Sequence, residues 1–430
     1  MRAFIPFVIL CLAAGFLAAA ENPCVVCHEK EKVARAALRD WKTSKHAAQG
    51  IACDTCHLTG DQKAATSKCP TLGVSRSVSA TACAACHEQQ ATQFANGKHA
   101  LAWVAMNAMP TTGTQPVEIR EGLKGCGGCH RIGLDGGKCD SCHTRHRFAA
   151  AEARRAEACR TCHMGFDHPQ WEMYSTSKHG SIYELESSNT DWEKPLSTLY
   201  DGSTTPGPDH PRAPVCASCH MPEGDHGVVT AWGFLAVRLP EDDAEWMKDR
   251  ATILQGLGVL DDKGNPTDRF NVVQAGKVAR LTKEDFAAAR NEMIAACTRC
   301  HTKSWAETEM AKGDKVVRDS DALMAAAVRE VDELYKEGIL KRPADVPFSV
   351  DLLRFYENRS PIEQKLWTMF LEHRMRAFQG AFHMNPDYQH WYGWAELKRD
   401  LYEIKDEAAS MRRAHTIESV LETGGEEPKK

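Results

Sequence analysis

Eight copies of Cys-x-x-Cys-His run through this 430-residue chain. They are Cys24/Cys27/His28, Cys53/Cys56/His57, Cys83/Cys86/His87, Cys126/Cys129/His130, Cys139/Cys142/His143, Cys159/Cys162/His163, Cys216/Cys219/His220 and Cys297/Cys300/His301. Two thiols three residues apart, with a histidine directly after the second, are what covalent attachment of a c-type haem requires. The thiols add to the porphyrin vinyl groups and the histidine coordinates the iron. One copy would fit half a zinc site equally well. Eight copies, using sixteen of the eighteen cysteines, do not. Cys11 and Cys69 are left over, and Cys69 reads as a lone thiol.

Three motifs crowd into the stretch Cys126–His163, so their haems must lie close together and exchange electrons quickly. That stretch is the expected centre of a redox protein. The motifs leave only about fifty residues each, too few for a conventional core, so porphyrin must supply much of the apolar interior.

Eleven histidines lie outside the motifs. A second histidine on the iron makes an electron carrier, whereas an open sixth position makes a catalytic centre. Seven doubly ligated haems would use seven of the eleven and leave one iron open. His46 and His179 each follow Ser-Lys, and His99 follows Gly-Lys. His146 comes three residues after His143, which bars it from the same iron but suits a neighbouring one. His226 lies six residues after His220. These five, with His383, are the expected distal ligands. His373 falls on an apolar helix face, where a satisfied core histidine is as good a reading. His210 reads as a loop residue and His415 as surface.

Directly after the sixth motif comes Met164-Gly165-Phe166-Asp167-His168-Pro169. An acid beside a histidine can accept and deliver protons near neutral pH, which multi-electron chemistry on small nitrogen or sulfur species needs. A structural ion pair, or a ligand role for His168, explains the same residues equally well. A second candidate is the aromatic run His383–Trp394, which includes Tyr388; it reads either as packing at a helix start or as contact with a porphyrin.

The elements that must position these groups are helical. Glu241–Leu260 and Thr282–Thr298 read as helices, the second capped by Thr282. Beyond His301 cysteine stops and helical periodicity takes over. Asp321–Glu337 aligns Leu323, Ala327, Val331 and Leu334. Pro361–Gly380, with Ser360 as N-cap, aligns Ile362, Leu366, Phe370 and His373. A third helix runs over Trp394–His415. Gly- and Pro-rich links (Gly125–Gly137, Pro206–Pro214) make the motif region loop-rich, and no strand pattern emerges. The fold class is mainly α: a loop-rich multihaem cytochrome c fold with a C-terminal bundle of long helices. Residues 1–20 read as a secretory signal, with Arg2, an apolar Phe4–Leu17 and a small-residue cleavage site at Ala18–Ala20. The haem-binding region then covers 21–305, the helical region 306–422 and a charged tail 423–430. The signal implies export to the periplasm or an equivalent compartment, and no later run spans a membrane. A net charge of −5 and a pI near 6.4 give no ground for nucleic-acid binding.

CDSCHTRHRF, CHMGFDHPQWEMY and SKHG within Cys126–Gly180, CHMPEGDHGVVTAWGFLAVRLP over Cys219–Pro240 and RATILQGLGVL after it resemble the octahaem hydroxylamine oxidoreductase family. The resemblance spans nearly the whole chain past the signal. It implies a mainly helical homotrimer with eight covalent c-type haems, seven of them bis-histidine carriers. The fourth in chain order, here on Cys126, Cys129 and His130, would be the active site, with Asp167 and His168 as its distal pair. Hydroxylamine-oxidising members cross-link a tyrosine to the active haem of a neighbouring subunit, within a pattern of two tyrosines separated by one residue ahead of Gly-Trp. Here Tyr388-Gln389-His390 stands ahead of Gly393-Trp394: Tyr388 matches the first position and His390 replaces the second tyrosine. Relatives without the cross-link resemble reductases of nitrite towards hydroxylamine or ammonium, so the pattern leans towards reduction. The expected partners are a small nitrogen-containing substrate and an electron-transfer protein, either a small cytochrome or a quinol-linked one. Two rival functions remain: a pure electron-transfer cytochrome, and an octahaem reductase of sulfur oxyanions, a class that often places lysine at the active iron whereas all eight motifs here end in histidine.

Overall fold

The computed structural model describes residues 22–58, 74–203, 205–230, 238–275, 282–344, 346, 348, 350–354 and 357–422. The signal segment, Cys11, Cys69 and the tail from residue 423 lie outside the described residues. Two compact units emerge: one reaches to Val78 and takes in Arg145–Arg147, the other holds Ser79–Thr144 and everything from Phe148. Among the described residues there is no strand, only three isolated bridges. No described helix is long and apolar enough to cross a membrane.

The first unit carries α1 (Pro23–Lys30), α2 (Arg35–Lys42), α3 (Lys45–Ala48) and α4 (Cys53–His57). Asn22 caps α1 by accepting the Cys24 N–H at 3.0 Å and ties it to α4 through Asp54 Oδ1 at 2.7 Å. The turn between α1 and α2 is tight enough to put Lys32 and Ala34 at φ 55° and 49°, where side chains other than glycine are strained.

The cysteine motifs share one local geometry. The histidine N–H donates to the carbonyl of the first cysteine four residues back, at 2.9–3.0 Å, in the motifs ending at His87, His130, His143, His163 and His301. Each motif is thus a single helical turn. Residues i, i+3 and i+4 share a helix face, so both thiols and the imidazole leave the backbone on the side where one porphyrin edge must sit.

In the second unit the motif region is built of short turns, among them α5 (Ala102–Ala108), α6 (Gly127–His130), α7 (Gln170–Ser175) and α8 (Lys178–Glu186). Their apolar packing is local: Tyr174, Tyr183, Trp192, Leu199 and Tyr200 form a small cluster. The main core lies further on, between α9 (Ala244–Gly256) and, past α10 (Lys283–Cys297), whose Phe286 joins a separate cluster with Trp246 and Phe378, the helices α11 (Lys303–Lys336), α12 (Pro361–Thr368), α13 (Met375–Phe382) and α14 (Ala395–Glu422). Ile253, Met324, Val331, Leu334, Leu366, Phe370, Leu397 and Ile404 fill it. At ~1.5–3 kcal/mol for each fully buried aliphatic side chain, this bundle is the main protein-only source of stability in the chain.

Several boundaries differ from the sequence reading. The helix expected over Glu241–Leu260 is only α9: Asp243 caps it by accepting the Trp246 N–H at 2.9 Å, and the chain leaves it through Gly258 at φ 67°. The Asp321–Glu337 helix is the second half of α11, which starts directly after the eighth motif with Thr302 as its cap. Pro361–Gly380 is not one α-helix. It starts as expected, with a reciprocal Ser360/Glu363 capping box, but Met369–Arg374 widens into a π-helical turn before α13. That turn lets His373 and Arg374 both face inward, onto Asp400 and Asp321. A second π-turn, His390–Trp394, precedes α14, so the last helix begins at Ala395 and reaches Glu422, beyond the expected His415. Such turns are frequent near functional sites.

Candidate haem centres and catalytic site

Five motif histidines face a second imidazole. In the first unit His57 stands 6.0 Å, centre to centre, from His146. In the second unit His163 stands 6.0 Å from His99, His143 6.3 Å from His226, His301 6.2 Å from His179, and His220 6.4 Å from His383. Two imidazoles on one metal hold their ring centres about 6.3 Å apart: two bonds of about 2 Å, plus roughly 1.15 Å from each nitrogen to its ring centre. The spacing fits one iron between each pair. It also identifies which ring nitrogen is available. His57 Nδ1 meets the Ser75 carbonyl at 2.7 Å, His220 Nδ1 the Val229 carbonyl at 2.8 Å, and His383 Nδ1 the Gln379 carbonyl at 2.8 Å. With Nδ1–H donating to a carbonyl, Nε2 is left as the ligand. Burial pushes His163 and His383 down to about 4, so both are neutral, as ligation needs.

In the second unit the motifs form a connected row. The thiols of Cys83 and Cys139 are in contact, as are those of Cys129 and Cys162 and those of Cys159 and Cys216. Cys142 lies near Cys159, and Cys219 near Cys297. The third and fifth motifs therefore meet, the fifth meets the sixth, the sixth the seventh and the seventh the eighth. The fourth branches off the sixth. In the first unit Cys24 stands near Cys53, so the first two motifs meet there, with Cys27 beside Cys24 and Cys56 beside Cys53.

None of the sixteen motif cysteines forms a disulfide, and they are not equally enclosed. Cys86 and Cys300 are exposed, and the other fourteen are partly buried. Cys86 belongs to the third motif and Cys300 to the eighth, the two ends of the row formed within the second unit. Each still keeps the one-turn geometry, its N–H donating at 3.1 Å to the carbonyl of Cys83 or Cys297.

The branch at the fourth motif differs from the other sites. His130 donates Nδ1–H to the Ala102 carbonyl at 2.9 Å. Its opposite imidazole is His168, 6.5 Å away and turned edge-on at 80°. In the five pairs above the rings meet at only 19–48°. His168 is not free to turn, because its Nδ1 is held by Asp167 Oδ1 at 2.9 Å. It also stands 6.0 Å from His163, edge-on to that ring as well. Burial works against the Asp167 carboxylate, but the hydrogen bond and charge of His168 outweigh it and hold the carboxyl below its ordinary range. Burial pushes the His130 imidazole down. The arrangement sets the motif imidazole of His130 on one side and, on the other, an imidazole oriented by a carboxylate. Such a group can hold and pass a proton at an atom lying between them.

The neighbouring residues were not legible beforehand. Glu172 accepts the Gly165 N–H at 2.9 Å and fixes the loop that carries Asp167 and His168; Gly165 sits at φ 90°, which glycine alone adopts readily. Gln170 links His163 Nδ1 (3.3 Å) to Gln379 on α13 (3.0 Å). A glutamine behind a proximal histidine leaves no sequence signature. Asn385 caps the turn bearing Tyr388, accepting its N–H at 3.1 Å, while its amide donates to the Met173 carbonyl at 2.8 Å. Tyr388 is thereby placed beside α7, half-buried, with its ring 5.0 Å from that of Tyr392. Burial and the nearby Glu172 raise its phenol. Trp391 and Tyr392 remain exposed. His46 is half-buried on α3. His373 is a core histidine on Asp400, His210 lies 3.2 Å from Asp201 in its loop, His390 packs edge-on against Trp391, and His415 is exposed near the end of α14.

Comparison with known proteins agrees with this architecture. The family model described as seven times multi-haem cytochrome CxxCH matches residues 21–253 and 268–344. A probable nitrite reductase–hydroxylamine oxidoreductase fusion protein of Kuenenia stuttgartiensis is 26% identical over 91% of the chain. The chain spans about half the length of that curated relative, 52%. Among solved structures, a reducing HAO-like protein complex of K. stuttgartiensis superposes with a TM-score of 0.71 at 26% identity, over 93% of this chain and 86% of that one. A hypothetical multihaem protein does so at 0.66 and 20% identity, over 91% and 96%.

Proposed function

We propose a function from one premise: the chain belongs to the multihaem CxxCH cytochrome family, and its fold is that of an HAO-like protein. We infer that it is an exported octahaem oxidoreductase of small nitrogen species, working in the reductive direction, from nitrite towards hydroxylamine or ammonium. The observation that carries this is the edge-on His168, tethered to Asp167, opposite His130.

When bound, the haem on Cys126, Cys129 and His130 supplies the iron that takes the substrate nitrogen and exchanges electrons with it. Ala102 orients His130 so that Nε2 is the ligand. Asp167 orients His168, and His168 hands protons across the open face. The histidine-paired motifs make a row through which electrons reach that site from a redox partner, a small cytochrome or a quinol-linked protein. His390, which stands where oxidising relatives have a second tyrosine, supports that direction, as does the likeness to a solved HAO-like relative that is named as reducing. Homotrimeric assembly is part of the same reading.

The test is the mass of the proteolytic haem peptide spanning Cys126–His130, with turnover measured on nitrite, hydroxylamine and tetrathionate. Ordinary haem c on that peptide, with nitrite or hydroxylamine reduction, supports the reading. A peptide bearing Tyr388 attached to the haem reverses the direction to hydroxylamine oxidation. Preferred turnover of tetrathionate, or eight low-spin six-coordinate irons, refutes it.

A further inference from the structure

The sixth haem motif stands where the row divides. Cys162 meets Cys129 of the fourth motif, and Cys159 meets Cys216 of the seventh and lies near Cys142 of the fifth. Its histidine is also held differently from others. His57, His130 and His220 present Nδ1 to main-chain carbonyls, those of Ser75, Ala102 and Val229. His163 Nδ1 meets a side chain instead, Gln170 Oε1 at 3.3 Å. The Trp171 N–H donates to the His163 carbonyl at 2.9 Å, which closes the loop bearing Asp167 and His168 and brings Gln170 back to His163. Gln170 is held in turn, its Nε2 donating to Gln379 Oε1 on α13 at 3.0 Å. Gln379 is 7% exposed, and its main-chain carbonyl meets His383 Nδ1 at 2.8 Å. One line of residues thus runs from His163 to the imidazole that faces His220.

Ligation fixes the sense of that line. With Nε2 of His163 on iron, Nδ1 carries the proton and must donate. Gln170 then turns its oxygen to His163 and its amide nitrogen to Gln379, whose own oxygen must face back. An imidazole that donates to an acceptor is a more basic ligand, which favours ferric over ferrous iron and lowers the reduction potential. A main-chain carbonyl does this at every residue type, whereas a glutamine held by a second glutamine does it only through those two side chains.

We infer that Gln170, anchored by Gln379, is a positioning residue that lowers the reduction potential of the haem on Cys159, Cys162 and His163. Gln379 serves two haems through different atoms, its side chain acting on His163 by way of Gln170 and its main chain on His383. A low potential at the sixth motif favours passing an electron on to the fourth, which joins the row there. The inference rests on haem attachment, and only its consequence for electron supply rests on the function proposed for the His130 site.

The experiment is a redox titration of the full-chain holoprotein followed by electron paramagnetic resonance, with the His163 haem identified as the one that His99→Ala turns high spin. Gln170→Leu removes the acceptor at similar volume and should raise the potential of that haem. Loss of an outer partner changes a metal site about 10- to 100-fold, and a 3.3 Å contact to a neutral amide belongs at the low end. The expected change is about tenfold in the preference for ferric over ferrous iron, about 59 mV for one electron. Gln170→Glu supplies a charged acceptor and should lower the potential. Gln379→Leu should raise it by less than Gln170→Leu and leave the haem between His220 and His383 unmoved, because the carbonyl stays. General loosening would move both Gln170 variants the same way. An unchanged potential in Gln170→Leu, or shifts of one sign in both variants, overturns the inference and leaves the proposed function standing. Opposite shifts in a protein that does not reduce nitrite support the inference and refute that function. Should Gln170→Leu fail to mature, Gln170→Glu decides: a lower potential supports the inference, and an equal or higher one refutes it.

Discussion

Replacing Asp167 by asparagine is the sharpest probe of the proposed proton path. The change keeps size and shape but turns the acceptor of the His168 hydrogen bond into a neutral amide. The 2.9 Å contact is charge-assisted, and such bonds contribute about 1.5–3 kcal/mol net. Asp167 is 43% exposed and His168 26% exposed, so solvent screening favours the lower part of that range. A loss of about 1.5–2 kcal/mol of transition-state stabilisation is roughly a 10- to 30-fold fall in turnover. His168→Gln removes the imidazole itself and should cost about 10²–10⁴. Because Asp167 acts through His168, the double variant should be no slower than His168→Gln alone. The acid limb gives a second readout. The carboxyl sits below its ordinary 3.8, so it is ionised at every weakly acidic pH. The stability it contributes is present above the unfolded value and is lost as pH falls through the lowered folded value. Asp167→Asn should therefore abolish that part of the acid destabilisation. The assay is steady-state nitrite turnover with a reduced dye donor from pH 4 to 9. A cost under twofold, or costs that multiply in the double variant, would refute the assignment.

Further predictions concern ligation and the core. His99→Ala should convert one low-spin haem to high spin, seen by electron paramagnetic resonance, because no other ring stands at ligation distance from His163 except the tethered His168. Asp321→Ala leaves the fully buried Arg250 and Arg374 without their shared carboxylate and should cost about 3–5 kcal/mol, read as a lower urea midpoint. An apolar triple replacement of all three residues should recover most of that loss. Gly393→Ala would put a Cβ 2.4 Å from the Ala377 backbone nitrogen and should cost about 1–3 kcal/mol by overpacking α13 against the His390–Trp394 turn. Ser360→Ala removes one half of a capping box and should cost about 1 kcal/mol in the same assay.

What could be read from sequence follows from how local each interaction is. Haem attachment needs one helical turn, so the eight motifs declare themselves. Their order in space is not local: that the third motif meets the fifth and the fourth meets the sixth is not carried by spacing along the chain. The faces of α11 and α12 could be read because burial repeats with the helix period. The π-turn at Met369–Arg374 could not, because it answers to two acids far away in sequence, Asp321 and Asp400. The histidines outside the motifs showed their type but not their pairing. His146 could be barred from the iron of His143, yet nothing in the sequence pointed to His57. His99 meets His163, and His179 meets His301, across long stretches of sequence with no periodic signal to join them. His373 was balanced between ligand and core because its partner, Asp400, lies on another helix.

The one-turn geometry of the cysteine motifs bears on how the molecule is assembled in time. Each turn presents its thiols and imidazole without help from distant residues, so a maturation system can recognise and load them on a chain that has not yet folded. The facing imidazoles lie on other segments and can close only once iron is in place. Haem loading then comes before folding in the motif region, where metal ligation substitutes for the aliphatic burial that the C-terminal helices supply for themselves. A chain starved of haem should keep the cooperative melting of that bundle and lose the ordered structure around it, so a protease pulse would release the motif region first.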